Sequence, residues 1–321
     1  MAHLAETQDF KSEVRVASPN DGYARPLEAL EHVMENSLRT LGLDPTAVTG
    51  VEEIARRSGH SVYRVRTTTG SFVAKRFAGV PTEALAYDLL AQMGVPALPI
   101  LGRASDALLL PDLATDPRWR LAERDDLTRP EVGTAVARWY RSLHSGGRAL
   151  LAQQRRFPRF LRRETDGLNP GTITATAARL GLARSQVWAL AAQHIVDLKA
   201  AAAALPTTLT HNDFYWENLA LSRRGDIRAI VFDYHFLGIG LAAGDHRNVS
   251  SVLGGVAQTA FRRAYGRVDD REACLDAPLS VLVALHLVSQ RPRMPGWAGP
   301  LVTEVTDGRL ESKIRTALRV L

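Results

Sequence analysis

The spacing of apolar and polar residues divides the chain into segments of different character. Residues 1–26 are polar and rich in turn-forming residues, so we predict a flexible extension that meets a first helix near Leu27. From Gly50 onward, three short β-like runs follow one another, VEEIARR, SVYRVRTT and SFVAKRF. Glycine-containing turns separate these runs, and apolar residues alternate with arginines in the second one. The pattern predicts three consecutive antiparallel strands.

A helix and a further hairpin are predicted next. In TEALAYDLLAQMG, Leu85 and Leu89 share one helical face, and Gly94 follows as a stop signal. The apolar runs LPILGRA and DALLLPDLA then predict the last hairpin of the sheet. We therefore expect an N-terminal lobe over residues 27–110 and a hinge at residues 111–117.

The remaining residues, 118–321, are predicted to be mainly helical. In PEVGTAVARWYRSLHS, Val132, Val136 and Trp139 recur at helical spacing, and SQVWALAAQHIVDLKAAAAA predicts a second helix. Two short strand-like runs, TLTHND and IRAIVFDY, lie on either side of a turn, and the chain beyond them is helical in pattern again. The pattern as a whole predicts an α+β protein.

Composition narrows the class of protein but does not identify a function. Hydrophobic residues make up 45% and charged residues 23% of the 321 residues, as in a globular protein. The first residues lack the pattern of a secretory signal, and the most apolar run, 279–288, is shorter than the roughly 20 residues that span a membrane. Cys274 is the only cysteine, which excludes an intrachain disulfide and a cysteine-built metal site. We expect a cytoplasmic monomer or homodimer that does not enter a membrane.

The charge excess is modest. Lys and Arg total 40 against 34 Asp and Glu, and no block of five or six consecutive basic residues is present. A nucleic-acid partner is therefore not expected. The densest basic stretch, QQRRFPRFLRRE, is interpreted either as a solvated helix face or as a surface that binds an anion or lines an acceptor site.

Candidate chemistry is concentrated in the stretch HNDFYWENLALSRRGDIRAIVFDY. It places His211, Asp213 and Asn218 ahead of a strand–turn–strand pattern that ends in Asp233. Phosphoryl transfer needs a carboxylate that orients the attacking hydroxyl, together with an amide and a second carboxylate that hold Mg²⁺ against the phosphates. Each of these residues alone has an ordinary structural explanation, but their order and spacing favour a phosphotransferase.

Two upstream residues complete the set. Lys75 lies on the third predicted strand, and Glu83 lies early in the helix that follows. A strand lysine by itself is more often simply exposed. At this place, however, its ammonium could pair with the α- and β-phosphates while Glu83 holds it in position.

With these motifs, the chain resembles the aminoglycoside phosphotransferase and choline kinase-like family, relatives of the protein kinases, over residues 50–249. The resemblance implies a bilobal protein kinase-like fold with an antiparallel sheet and a helix in the small lobe and a larger, mainly helical lobe. It also implies ATP (or GTP) in the cleft between them, with Mg²⁺. Asp213 then matches the catalytic aspartate, and Asn218 and Asp233 match the magnesium ligands.

The same resemblance implies supporting roles for other residues. Lys75 matches the phosphate-binding lysine and Glu83 its ion-pair partner. His211 and Asp245 match residues that brace the catalytic loop, and the helix end WYRSLHS matches a Leu-His segment that precedes the acceptor region.

The chain departs from the family pattern in the catalytic loop. Many relatives have HGD followed by a His-Pro-like pair, whereas this chain has HND followed by Tyr-Trp-Glu, which changes the lining on the acceptor side.

The nucleotide contacts predicted by the resemblance are less specific. The turn expected to cover the phosphates has one glycine, and we expect contacts from Ser58, Gly59 and Ser61, although an ordinary hairpin turn explains the same residues. At the hinge, Pro111 would offer its carbonyl to the adenine amino group and Leu113 its N–H.

The acceptor is expected to be a hydroxylated small molecule. A pocket for polycationic aminoglycosides needs carboxylates, but residues 150–200 are arginine-rich. We therefore expect a neutral or weakly anionic acceptor such as a nucleoside, a peptide or a macrolide antibiotic, with resistance by O-phosphorylation as the role. The alternatives are a metabolic kinase for choline, homoserine or a sugar, a nucleotide-binding pseudokinase, and a nucleic-acid binder supported by net charge alone.

Overall fold

The computed structural model describes residues 38–57, 59–79, 81–153 and 157–321. The predicted extension, the helix start near Leu27 and the candidate phosphate contact Ser58 lie outside the described residues. The described chain forms two compact units. The sheet unit consists of residues 38–123 and 216–235, and the helical unit of residues 124–215 and 236–321. The predicted boundaries at 27–110 and 111–117 stay a prediction.

The sheet unit contains a five-stranded antiparallel sheet with the strand order β1-β2-β3-β5-β4. Its strands are β1 (Val48–Arg57), β2 (His60–Thr67), β3 (Gly70–Phe77), β4 (Gly102–Arg103) and β5 (Ala107–Pro111). The three predicted strands and the predicted hairpin are thus confirmed. Side-chain alternation sets the register, because Val65 on β2 is buried while the next residue, Arg66, is exposed.

The predicted helix follows β3 as α1 (Thr82–Gln92). It ends where Gly94 adopts a left-handed backbone, with φ of 66°, and where the Val95 N–H donates to the Leu90 carbonyl. Glycine suits this position because it lacks the Cβ that makes a left-handed backbone costly. The helix places Glu83 in its first turn, facing inward.

A second, three-stranded sheet lies in the same unit, in the order β6-β8-β9. Its strands are β6 (Trp119–Leu121), β8 (Leu219–Ser222) and β9 (Ala229–Val231). Leu219 pairs with Val231, so the residues before β8 and after β9 lie at the same end of this hairpin. The strand–turn–strand pattern predicted between Asn218 and Asp233 is therefore confirmed.

The helical unit is built from eight helices among the described residues, as predicted for most of its length. They are α2 (Pro130–Gln153), α3 (Pro170–Arg179), α4 (Val187–Ala204), α5 (Ala242–Val252), α6 (Gly255–Tyr265), α7 (Asp270–Ser289), α8 (Gly299–Thr306) and α9 (Arg309–Leu318). A two-stranded antiparallel sheet joins β7 (Thr208–Thr210) to β10 (Gly238–Gly240). The runs TLTHND and IRAIVFDY therefore belong to different sheets, since β7 pairs with β10 and β9 pairs with β8.

Within the described part of the chain, one helix is long and apolar enough to cross a bilayer, judged by length and composition alone. This helix is α7, and 56% of its apolar 18-residue stretch is buried inside the structure. Leu275, Leu282 and Leu285 on α7 are fully buried in the core of the helical unit. Such burial is typical of a core helix, and the predicted absence of a membrane span stays a prediction.

A close approach between α2 and α6 leads to a test of this packing. A Cβ added at Gly133 on α2 would lie 2.1 Å from the Ala257 carbonyl oxygen on α6. We expect Gly133→Ala to lower the free energy of unfolding by about 1–3 kcal/mol, because the helices must separate to accept the methyl group. Gly255→Ala is the matched control, since the Cβ it adds would have no atom of another segment of the described chain within 4 Å. Equal urea midpoints for the two variants would contradict this packing.

Candidate active site

A buried group of opposite charges surrounds Lys75 on β3. Its ammonium lies 2.5 Å from Oε2 of Glu83 on α1 and 2.8 Å from Oδ1 of Asp233, which follows β9. Lys75 is 6% exposed and Glu83 is 1% exposed. The structure therefore brings together three of the predicted site residues, from a strand, a helix and a hairpin end.

Burial and charge act in opposite directions on these three groups. Burial alone would lower the pKa of the Lys75 ammonium, but the carboxylates of Asp233 and Glu83 hold that pKa above its ordinary value. Burial would raise the pKa of Asp233, but Lys75 and His235 hold it well below its ordinary value. For Glu83 burial dominates, and its pKa is raised. Lys75 and Asp233 therefore stay charged at neutral pH.

The hairpin β8–β9 presents Asn218 and Asp233 at one end. Asn218 directly precedes β8, and its carbonyl accepts a hydrogen bond from the N–H of Phe232. Asp233 has a left-handed backbone with φ of 68°, an uncommon conformation for a residue with a side chain. Carboxylate and amide oxygens are the ligands that Mg²⁺ prefers, so these two residues fit a magnesium ion.

His235 is a neighbour of this site that the sequence analysis did not predict. Its Nδ1 lies 2.8 Å from Oδ1 of Asp233, the oxygen that also contacts Lys75. Both contacts use Oδ1 and leave Oδ2 for another ligand. The imidazole of His60, at the start of β2, lies 6.0 Å from the His235 ring. The only sequence signal was the position of His235, two residues after Asp233.

His211 and Asp213 of the motif lie in the helical unit, on the loop that follows β7. His211 is fully buried, with its ring edge-on to Trp139 at 5.9 Å. The N–H of Asp213 donates to Nδ1 of His211 at 3.3 Å. Between them, Asn212 has a left-handed backbone with φ of 65°. The histidine thus supports the turn that carries Asp213.

Asp245 on α5 holds this loop through its backbone. Its Oδ2 accepts the N–H of His211 and its Oδ1 the N–H of Asn212, both at 2.8 Å. Burial would raise the pKa of Asp245, but its hydrogen bond with His144 and the loop N–H groups hold the pKa below its ordinary value. Asp245 is therefore an ionised, fully buried acceptor.

A buried histidine extends this network away from the loop. Nε2 of His144 lies 3.0 Å from Oδ2 of Asp245, and Nδ1 lies 2.7 Å from the hydroxyl of Tyr265. Since Asp245 accepts, Nε2 of His144 carries the proton. The Leu-His segment at this helix was a usable sequence signal for His144, whereas nothing in the sequence pointed to Tyr265.

Asn212 lies between His211 and Asp213, at the position where the loop takes its left-handed turn. Asparagine tolerates a left-handed backbone better than most residues. Its amide also donates to Oγ1 of Thr210 at 3.0 Å and to the carbonyl of Phe236 at 3.2 Å. The side chain therefore ties down a turn that glycine would leave without these bonds.

The candidate phosphate contacts lie at the turn between β1 and β2. Gly59 has φ of 98° and its carbonyl accepts the N–H of Ala78. Ser61 is paired with Arg56 on one side and with Arg76 on the other. Its backbone belongs to the sheet ladder, which leaves the hydroxyl of Ser61 as the group that could face a phosphate.

The candidate base contacts lie at the end of β5. Pro111 pairs with Phe72 on β3, and Leu113 follows after the buried Asp112. Asp112 was not predicted; its carboxylate accepts hydrogen bonds from Nε of Arg64 at 2.8 Å and from the hydroxyl of Ser71 at 2.7 Å. This residue anchors the segment that carries Leu113.

The Asp245 network predicts a pH-dependent difference in stability. Asp245→Asn leaves one acceptor oxygen for three donors. We therefore expect the free energy of unfolding to fall by about 3–5 kcal/mol at pH 7. Because the folded pKa of Asp245 is lowered, its contribution is present above the unfolded value of about 3.9 and is lost as the pH falls through the folded value. The difference in the free energy of unfolding between wild type and Asp245→Asn should therefore become smaller below about pH 4, by up to about 1.4 kcal/mol per pH unit.

Urea unfolding at pH 7, 5 and 3.5 measures this gap. Asp197→Asn is the control, because the Asp197 side chain is 64% exposed. A gap that stays constant over the whole range would show that ionised Asp245 does not hold the loop.

Comparison with known proteins gives the family. The model of the phosphotransferase enzyme family matches residues 50–277, more than two thirds of the chain. This range contains Lys75, Asp213, Asn218 and Asp233. No curated protein matches the sequence.

Solved structures show the same fold at low identity. The choline kinase LicA from Streptococcus pneumoniae has a TM-score of 0.59 and 12% identity, with 88% of this chain and 99% of that chain covered. An ethanolamine kinase from Plasmodium vivax has a TM-score of 0.57 and 13% identity, with 96% of each chain covered. A spectinomycin phosphotransferase in complex with ADP and spectinomycin has a TM-score of 0.50 and 11% identity, with 90% and 93% covered.

These likenesses confirm the predicted kinase-like α+β fold. The match over residues 50–277 shows that this chain belongs to the phosphotransferase enzyme family.

Proposed function

We propose that this protein transfers the γ-phosphoryl group of ATP, with Mg²⁺, to a hydroxyl of a small molecule. The observation that carries the proposal is the buried ion pair of Lys75 with Glu83 and Asp233, at the hairpin end that also presents Asn218. Burying three charges is costly, and such perturbed groups cluster at functional sites. GTP is the alternative donor.

Each predicted residue then has a role. Lys75 binds phosphate oxygens, and Glu83 keeps its ammonium in place. Asn218 and Asp233 hold the magnesium ion, and Oδ2 of Asp233 is the oxygen that its protein contacts leave for it. When bound, Mg²⁺ balances the negative charge of the phosphate chain.

The catalytic loop supplies the residue that handles the acceptor. Asp213 orients the attacking hydroxyl and accepts its proton as the new O–P bond forms and the bond to the leaving diphosphate breaks. His211 and Asp245 support the loop. Gly59 and the hydroxyl of Ser61 contribute phosphate contacts, and Pro111 and Leu113 contribute contacts to the base.

The acceptor is proposed to be neutral or weakly anionic, and an antibiotic is our preferred class, with resistance as the role. A cavity in the helical unit borders Asn212, next to Asp213 in the chain. Its charged lining consists of two cations and two carboxylates, Arg163, Lys199, Glu164 and Asp276. This balance supports a neutral acceptor, since a polycation would need an excess of carboxylates. A cytoplasmic location, where ATP is available, is part of the proposal.

A panel assay tests the proposal. The protein is incubated with Mg²⁺ and ATP or GTP and with macrolides, aminoglycosides, nucleosides, choline and sugars, and mass spectrometry detects products heavier by one phosphoryl group. We expect turnover of a neutral antibiotic. Turnover of choline or a sugar alone would assign a metabolic role, and nucleotide binding without any product would indicate a pseudokinase.

Asp213→Ala tests the proposed chemistry. We expect turnover to fall by about 10³-fold or more, because alanine cannot take the hydroxyl proton, while the affinity for Mg²⁺-ATP stays within about twofold. Asp197→Ala, at an exposed position, is the control and should keep full activity. Retention of more than a tenth of the wild-type turnover in Asp213→Ala would remove Asp213 from the mechanism.

A further inference from the structure

The guanidinium of Arg223 makes an unusual set of contacts in the sheet unit. Arg223 directly follows β8 and donates to four backbone carbonyls of the connecting segment, which we define as residues 112–119. Nε donates to the carbonyls of Asp116 at 2.8 Å and Trp119 at 3.0 Å. Nη2 donates to the carbonyls of Leu113 at 3.0 Å and Ala114 at 3.2 Å. One side chain thus holds most of the connecting segment.

These bonds tie the connecting segment to the end of β8, in addition to the hydrogen bonds that the segment makes within itself. Charge-assisted hydrogen bonds are stronger than neutral ones, and a planar guanidinium presents its donors at fixed angles. The backbone N–H of Arg223 also donates to the carbonyl of Arg118 at 2.8 Å, next to the β6–β8 pairing. Arg223 and the neighbouring Arg224 are both exposed, but Arg224 makes no hydrogen bond to any described residue.

The other side of the connecting segment is held by Asp112. Its carboxylate is bound to Arg64 and Ser71 in the large sheet, and it also accepts the N–H of Ala114. Its carbonyl accepts the N–H groups of Thr115 and Asp116 at 2.9 and 2.8 Å. The orientation of the peptide between Asp112 and Leu113 is therefore determined.

That orientation exposes a donor. In a planar trans peptide the N–H points opposite to the C=O, so the N–H of Leu113 points away from the turn formed by Thr115 and Asp116. Among the described residues, this N–H has no hydrogen-bond partner, while the Leu113 carbonyl is bound by Arg223. Leu113 thus presents one oriented donor, the group proposed to contact the nucleotide base.

We propose that Arg223 is a positioning residue for recognition of the nucleotide base. It acts by fixing the connecting segment so that the Leu113 N–H meets the base, and this inference rests on the proposed function. The position of Arg223 also links the segment that carries Leu113 to the hairpin that presents Asn218. Strand β8 carries Asn218 at one end and Arg223 at the other, so one short hairpin fixes both the metal-binding end and the base-binding segment.

The test separates base recognition from general support of the fold. Isothermal titration calorimetry measures the affinity of wild type, Arg223→Ala, Arg223→Lys and the control Arg224→Ala for Mg²⁺-ATP, Mg²⁺-GTP and Mg²⁺-UTP. Wild type should prefer one purine nucleotide. In Arg223→Ala the affinity for that nucleotide should fall about tenfold, as for the loss of one good hydrogen bond, while the affinity for UTP stays within about twofold.

Arg223→Lys keeps the charge but cannot bind four carbonyls, so its affinity for the preferred nucleotide should fall about threefold. Arg224→Ala should bind with the affinity of wild type. Thermal melting of each variant verifies folding, and Arg223→Lys carries the test if Arg223→Ala does not fold. In activity assays, the Arg223 variants should have a higher KM for ATP than wild type. Their kcat and their KM for the acceptor should be unchanged.

The outcomes are distinguishable. Wild-type protein that binds no nucleotide would overturn both the proposed function and this inference. Wild-type protein that binds nucleotides, with an unchanged ratio of purine to UTP affinity in the Arg223 variants, would overturn the inference alone. Equal losses for ATP and UTP would assign Arg223 to general support of the fold and would also overturn it.

Discussion

The structure of the sheet unit depends on keeping one buried ammonium neutralised. Lys75 is taken out of water on β3, and such a charge is tolerated only when carboxylates replace its hydration. Glu83 comes from α1 and Asp233 from the end of β9, so the ion pair requires the sheet, the helix and the β8–β9 hairpin to be in place together. Removal of one partner from such a pair typically costs about 3–5 kcal/mol. A phosphate chain and a metal ion would supply replacement charges at the same point.

Backbone strain is concentrated in two turns of the predicted motif. Among the described residues, Asn212 and Asp233 are the only non-glycine residues with positive φ, and each lies within the motif HNDFYWENLALSRRGDIRAIVFDY. Such conformations persist only where surrounding contacts determine them. Asp245 and the carbonyl of Phe236 hold Asn212, while Lys75 and His235 hold Asp233. The strain is therefore offset by the same contacts that orient the side chains of the motif.

The local sequence pattern was sufficient to predict strands β1 to β3, helix α1 and the spacing from Asp213 to Asp233. Each of these features depends on residues that are close together in the sequence. It was insufficient where a contact joins distant segments through single side chains. The bond between His144 and Asp245 spans 101 residues, and the contacts of Arg223 with the connecting segment span more than 100. An arginine in a turn looks like any solvated arginine until the carbonyls that face it are known. Asp112 was hidden in the same way beside the predicted Pro111 and Leu113.

The asparagine at position 212 is compensated locally. A glycine at this position would adopt the left-handed turn without strain but would add no side-chain bond. Asn212 accepts the strain and makes two side-chain hydrogen bonds that link β7 to the start of the segment leading into β10. A Cβ added at Gly238 on β10 would lie 2.5 Å from the Arg162 carbonyl oxygen and 3.5 Å from Nδ2 of Asn212, so β10 packs closely against both. The asparagine therefore exchanges backbone freedom for a more rigid loop, and the rigidity falls on the residue directly before Asp213.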